Sequence, residues 1–371
     1  MASESSETDK LRVFFLPHFI AGHMIPMVDA ARLFARHGGV TVITTAANSP
    51  IFQNSIDHDV SSGHQIRIHT LQFPSSEVGG ENLNAATLAE TSAAIAAAIE
   101  KLQEPVERLF PELGIPRIFF NDGGYFSFCA SRSVIERKPG SEDDVVLLSG
   151  LPHRIELLRS QVPDWTDLGS LLEALGESEG KTYGAIMNSF DELEPAYAAH
   201  FKKITTMKAW SVGPVSLWLN LNTENENLCN RGKIVNVDQV HEREILNWLN
   251  SKEQNSVLYV SLGSLTRFSS AQLKEISHAL ENSGHPFIWV VRKREKDEYS
   301  EIFHEVFEQR MKENKRGFLV RDWAPQTLIL GHPATGAMVT HCGWNSVMEC
   351  GAAGEADGDL AFVCGAILQC Q

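Results

Sequence analysis

Two short stretches carry residue types whose spacing suits chemistry on a small molecule. His23 follows the apolar run of residues 11–16 (LRVFFL) across the loop PHFIAG. Such a run reads as a buried parallel strand, and a side chain just past its carboxyl end reaches the place where open α/β sheets bind ligands. An imidazole of ordinary pKa, ~6.5, can take a proton from a hydroxyl at neutral pH. The plainer reading is a polar loop or helix-capping histidine. His18, nearer the strand, is the weaker candidate.

The second stretch is VTHCGWNSVME at residues 339–349. A strand runs through Gly343 into a helix opening at Trp344, Asn345 and Ser346. Free N–H groups and the positive end of the dipole make such a helix start an anion site. His341 and Ser346 add side-chain donors, and Glu349, one turn inside, suits a ribose hydroxyl. Together they suit a diphosphate and its sugar without a metal. The bland alternative is an ordinary strand-to-helix turn capped by Asn345 and Ser346; the gathering of polar and glycine residues favours the anion site. Trp323 precedes Ala324, Pro325 and Gln326 at a strand end, where an indole face can stack on a base. Trp289, inside PFIWVV, reads as core.

Other motifs fail. The chain has no GxxxxGK[ST] and no GxGxxG after a strand. His18 and His23 lack the HExxH spacing, so zinc is not expected, and no GxSxG elbow is present.

The elements that must hold these residues alternate in type. Residues 11–16 and 40–44 read as strands around a helix at 24–36, which His37-Gly38-Gly39 stops. Further strands are expected at 67–71 and 115–120 (IPRIFF), with a long alanine-rich helix at 88–109 between them. After the polar stretch 220–233 come strands at 256–261, 286–291, 317–320 and 337–340, with a helix at 272–282. This alternation argues for α/β domains with parallel sheets. Two doubly wound, Rossmann-like domains facing across a cleft are the expected architecture.

Composition sets bounds on partners. The chain has 371 residues, 43% hydrophobic and 21% charged, which are globular values that leave room for two domains. Its net charge of -15 disfavours a broad basic face for nucleic acid. Residues 1–10 (MASESSETDK) have no signal-like apolar core, and no apolar run reaches the ~18 residues of a membrane span. Six scattered cysteines without a CxxC pair read as free thiols in a reducing compartment. A cytoplasmic monomer without a membrane span is expected.

At residues 323–349, WAPQTLILGHPATGAMVTHCGWNSVME, the sequence resembles the sugar-nucleotide signature box of plant UDP-dependent glycosyltransferases. GHMIPMVDAARLFA near the start, NSFDELEPAY in the middle and YVSLGSLTRF at 259–268 add to the resemblance, whose texture is most similar to the saponin and flavonoid branch. The resemblance implies the GT-B type of fold, an inverting transfer of a hexose from a UDP-sugar to a hydroxyl of a small lipophilic acceptor, and no metal or other cofactor. It implies His23 as the base that deprotonates the acceptor. Trp323, Ala324 and Gln326 then lie at the nucleoside, His341, Trp344, Asn345, Ser346 and Ser264 around the diphosphate, and Glu349 at the ribose.

The sequence departs from that family at three points. The box stops matching at Cys350, so the closing acidic residue and glutamine that hold sugar hydroxyls fall at Gly365 and Ala366. The chain ends at Gln371, short of its relatives, which implies an incomplete second domain. Near residue 110 one strand–helix unit is missing, and with it the aspartate that pairs with the histidine. IPRIFF taking the vacant place would bring Asp122 to His23; the simpler reading of Asp122 is a loop cap before Gly123-Gly124. The expected division is 1–218 for acceptor binding, 219–243 as linker and 244–371 for UDP-sugar binding. The alternative function is an inactive truncated family member that at most binds nucleotide or a partner.

Overall fold

The computed structural model describes residues 11–18, 20–72, 101, 106, 108, 115–137, 145–162, 177–220, 239–263, 268–291, 298–321, 323–354 and 361–364. Strands β1 (Arg12–Phe15), β2 (Gly39–Thr45) and β3 (Ile66–Leu71) form a parallel sheet in that order. All of β2 after Gly39 is buried, as suits a parallel strand covered on both faces. Helix Ala21–Phe34 connects β1 to β2, and helix Gln53–Ser61 precedes β3.

The next strands are β4 (Ile118–Asn121), the antiparallel pair β5 (Val145–Leu148) and β6 (Ile155–Leu158), then β7 (Gly184–Met187) and β8 (Lys208–Ser211). β4, β7 and β8 make a separate parallel sheet. Among the described residues β1 pairs with β2, and β4, formed by the end of IPRIFF, pairs with β7. Phe14 on β1 and Phe119 on β4 stay 40% and 41% exposed.

Strands β9 (Val257–Ser261), β10 (Phe287–Val291), β11 (Gly317–Arg321), β12 (Thr335–Thr340) and β13 (Ala361–Cys364) form a five-stranded parallel sheet ordered β11-β10-β9-β12-β13. β13 comes from beyond Cys350, so the segment unlike the family box still adds an edge strand. Period-2 alternation sends Tyr259, Ile288, Val320 and Met338 to one core and Val260, Trp289 and Leu319 to the other. Trp289 is a core residue, 1% exposed, as the sequence suggested. The helix expected at 272–282 spans Ser270–Ser283 because Ser269 and Gln272 close a capping box and Gly284, at φ 77°, terminates it.

Contacts group the described parts of Met1–Gln72 and Ser216–Ile367 into one compact unit and those of Ala89–Val215 into a second. The sequence division had followed chain order instead. Helices Val215–Asn220 and Gln239–Asn250 reach into both ends of the expected linker. The residues between them lie outside the described residues, as do Ser264 and most of the helix expected at 88–109. The expectation of free thiols holds for Cys129 and Cys350, both buried, but Cys342 is disulfide-bonded.

Candidate active site

The order of the five-stranded sheet fixes where a ligand can sit. The chain leaves β9 toward β10 and β11 on one side and later returns to β12 on the other, so β9 and β12 flank the topological switch point. Their register pairs Tyr259 with Met338 and Ser261 with Thr340. The two carboxyl ends are therefore level, and the turns after them meet.

After Thr340 the chain makes a three-residue turn, His341 to Gly343, before helix Trp344–Gly354. Cys342 adopts φ 60°, and its N–H donates to Thr340 Oγ1 at 3.3 Å. The His341 ring lies against two glycines: a Cβ on Gly263 would stand 2.6 Å from its Nε2, and one on Gly343 2.4 Å. Gly263 also has φ +87°, where L side chains are strained. Desolvation of the ring lowers the His341 pKa, although the residue as a whole is exposed to solvent. That shift favours the neutral imidazole, which has one N–H to give. The Val347 N–H bonds back to Gly343 O at 3.1 Å. Trp344, Asn345 and Ser346 form the first turn of this helix, the end at which the helix dipole favours an anion.

Gln326 opens helix Gln326–Leu330 and gathers the rest of the site. Its Nε2 donates to Glu349 Oε2 at 2.8 Å and to Ser346 Oγ at 3.2 Å. Its Oε1 accepts from the Tyr259 hydroxyl at 3.2 Å. Tyr259 is 1% exposed, and burial, against a hydrogen bond from Ser261, raises its pKa well above the usual phenol range. Glu349 is 7% exposed. A buried carboxylate with a bridging carboxamide suits the hydroxyl pair of a ribose. Trp323 and Ala324, just before Gln326, and Trp344 are half-buried.

His23 lies in the first turn of helix Ala21–Phe34, which starts three residues before the helix expected from sequence at 24–36. Its own N–H and that of Met24 bond to Ile20 O at 2.9 and 2.8 Å. Its ring meets that of His18 edge-on, with centroids 5.2 Å apart. The helix is anchored by buried Met24, Val28 and Ala31 and by an Arg32–Asp59 ion pair of 2.6 Å. The Asn345 side-chain amide donates to the carbonyl of Gly22, the residue before His23. Within one compact unit, the structure thus links the helix of His23 to the helix carrying Asn345, Ser346 and Glu349.

Asp122 belongs to the other unit, in the turn after β4. Asn121 holds that turn, accepting from Gly123 N–H at 3.2 Å. Sequence reasoning missed Tyr259; its signal was the i, i+2 pair with Ser261 ahead of the Gly263 turn. It also missed the role of Glu194 in NSFDELEP. The Glu194 carboxylate receives Tyr125 N–H at 2.9 Å, Phe126 N–H at 2.8 Å and Ser189 Oγ at 2.8 Å, capping helix Tyr125–Arg137. Among the described residues no group of three or more His, Cys, Asp or Glu could hold a metal ion, and no helix is long and apolar enough to cross a membrane.

The sequence model of the UDP-glucoronosyl and UDP-glucosyl transferase family matches residues 202–354. Soyasapogenol B glucuronide galactosyltransferase of Glycine max is 42% identical over 374 residues, covering 92% of this chain and 74% of the relative. UDP-glucose flavonoid 3-O-glucosyltransferase 7 of Fragaria ananassa is 40% identical over 387 residues, covering 95% and 77%. The crystal structure of Glycyrrhiza uralensis UGT73P12 complexed with glycyrrhetinic acid 3-O-monoglucuronide superposes with a TM-score of 0.81 at 42% identity, over 95% of this chain and 76% of that one. Medicago truncatula UGT71G1 complexed with UDP-glucose, at 22% identity, shares the fold with a TM-score of 0.72 over 93% and 79%.

Proposed function

The chain belongs to the plant UDP-glycosyltransferase family, and from that we propose that it moves a hexose from a UDP-sugar to a hydroxyl of a triterpenoid, saponin or flavonoid acceptor. Relatives named for soyasapogenol B glucuronide and for a flavonoid support that acceptor class. The observation that carries the reading is the Gln326–Ser346–Glu349 cluster at the switch point, in the same unit as His23.

In this reading His23 takes the acceptor proton, the oxygen attacks the anomeric carbon in line, and UDP leaves from the opposite side with inversion. Charge developing on the diphosphate is met by the N–H groups of residues 344–346 and by neutral His341, donors already in place before the reaction. Glu349 and Gln326 hold the ribose and Trp323 the base. No metal takes part, and the chain works as a monomer in the cytoplasm.

The test is incubation with UDP-glucose, UDP-galactose or UDP-glucuronic acid and a triterpenoid and flavonoid panel. Transfer is expected with at least one pair. His23→Ala should abolish it while leaving UDP affinity within about twofold, since the base does not touch the nucleotide. A UDP-induced melting shift without product from any pair would leave a nucleotide-binding protein and reject the transferase.

A further inference from the structure

Pro26 lies inside helix Ala21–Phe34, four residues after Gly22. In an α-helix the amide of residue i+4 satisfies the carbonyl of residue i. Proline has no amide hydrogen, and its ring crowds the carbonyl four residues back. The Gly22 carbonyl therefore has no i+4 donor within its own helix, and a backbone acceptor left in that state is costly unless something else serves it. The Asn345 side-chain amide serves it, from a position 323 residues away in sequence but in the same compact unit.

This contact lies one residue before His23 and holds the turn that carries the imidazole. A Cβ on Gly22 would meet nothing within 4 Å, so the contact depends on the carbonyl and not on the space a glycine leaves. Asn345 is also the second residue of helix Trp344–Gly354, at the end suited to an anion. We propose that Asn345 is a positioning residue for His23, fixing the first turn of its helix through the Gly22 carbonyl that Pro26 leaves open. Asn345 then joins the two ends of the reaction, because the residue beside the diphosphate also sets the orientation of the base.

The kinetic part of this inference rests on the proposed transferase activity. A double-mutant cycle of Asn345→Ala and Pro26→Ala tests it, because the second change returns an amide hydrogen to the helix and gives Gly22 its own donor. Asn345→Ala alone should lower kcat by about ten- to a hundredfold, the cost of a misplaced reacting group. The KM for the UDP-sugar should move less than about threefold, since binding that is equal in ground and transition states is untouched. In the Pro26→Ala background the same change should cost less than about threefold in kcat, the two sites being coupled through one carbonyl.

The melting temperature should follow: Asn345→Ala lowers it by about 2–4 °C in the parent and by much less in the Pro26→Ala background. A role confined to the diphosphate predicts a rise in KM that Pro26→Ala does not rescue. That result, or additive effects on both kcat and melting temperature, would overturn the proposal. A parent chain without any transfer would reject the proposed function instead, and the melting arm of the cycle would still decide this inference.

Discussion

Gln326 Nε2 stands 2.8 Å from Glu349 Oε2, with the Tyr259 hydroxyl bonded to the other end of the same carboxamide. A carboxamide has one accepting and one donating end, so Tyr259 selects the rotamer in which the donor faces the carboxylate. Linked bonds of this kind reinforce one another in a buried setting. Tyr259→Phe keeps the ring in its core and removes only the hydroxyl. The loss of one net hydrogen bond, about 0.5–1.5 kcal/mol, should weaken UDP binding by about two- to tenfold with an unchanged circular dichroism spectrum. Calorimetric titration with UDP checks it, and an unaltered affinity would show that Gln326 keeps its orientation unaided.

Gly263→Ala should damage the same site from the other side. The new Cβ would press on the His341 ring, and the residue would sit at φ +87°. Positive φ at a residue with a side chain costs of order 1–3 kcal/mol. Stability should fall by about that amount in urea titration, and UDP affinity should fall with it because His341 is displaced. Gly22→Ala, with open space around its Cβ, should lose far less stability.

Acid should weaken the fold in two stages. Burial lowers the pKa of His332 and of His341 in the folded protein. His332 Nδ1 accepts from Ala334 N–H at 3.1 Å, a bond only the unprotonated nitrogen can make. Above about pH 6.5 these rings are neutral in both states; below it the unfolded chain takes up protons first, so stability falls with pH. Asp191 and Glu308 act lower down. Asp191 is lowered first by the Ser211 hydroxyl, and Glu308 is lowered because Lys312 and Arg321 outweigh its burial. Their contribution is present above about pH 4 and lost below it. Melting temperature against pH should therefore decline from about 6.5 and again below about 4. His332→Asn with His341→Asn should flatten the first decline and leave the second.

Arg32 and Asp59 form a buried ion pair, 5% and 12% exposed at their side chains, bonded at 2.6 and 3.1 Å. Asp59→Ala leaves the guanidinium buried without its partner and should cost about 3–5 kcal/mol. Arg32→Met in the same background should recover most of that loss, because the stranded charge is then gone. Urea unfolding of the three proteins measures both. Equal stability of Asp59→Ala and the parent would mean that water reaches Arg32.

Much of the site could be read along the chain because its residues are close in sequence. His341, Asn345, Ser346 and Glu349 share one turn and one helix, and the helix-start signal there is local. Strands of β-branched and aromatic residues were legible for the same reason, as with PFIWVV and VTVIT. The partners of Glu194 and Tyr259 were not legible, since nothing in a single segment says which backbone amide or carboxamide from another element will meet them.

Sequence alone determined the α/β alternation, the family box and His23 at a strand-to-helix junction. Hydrophobic period and helix-start chemistry act over a few residues, so they are written in the local order of the chain. Only the tertiary structure decided that Tyr259 serves Gln326, that Cys342 is paired, that β1 and β4 lie in separate sheets, and that Asn345 reaches Gly22. Those relationships join residues far apart in the chain. The parallel pairing of β9 with β12 levels two strand ends whose sequences lie far apart, and a hydrogen bond depends on that distance in space.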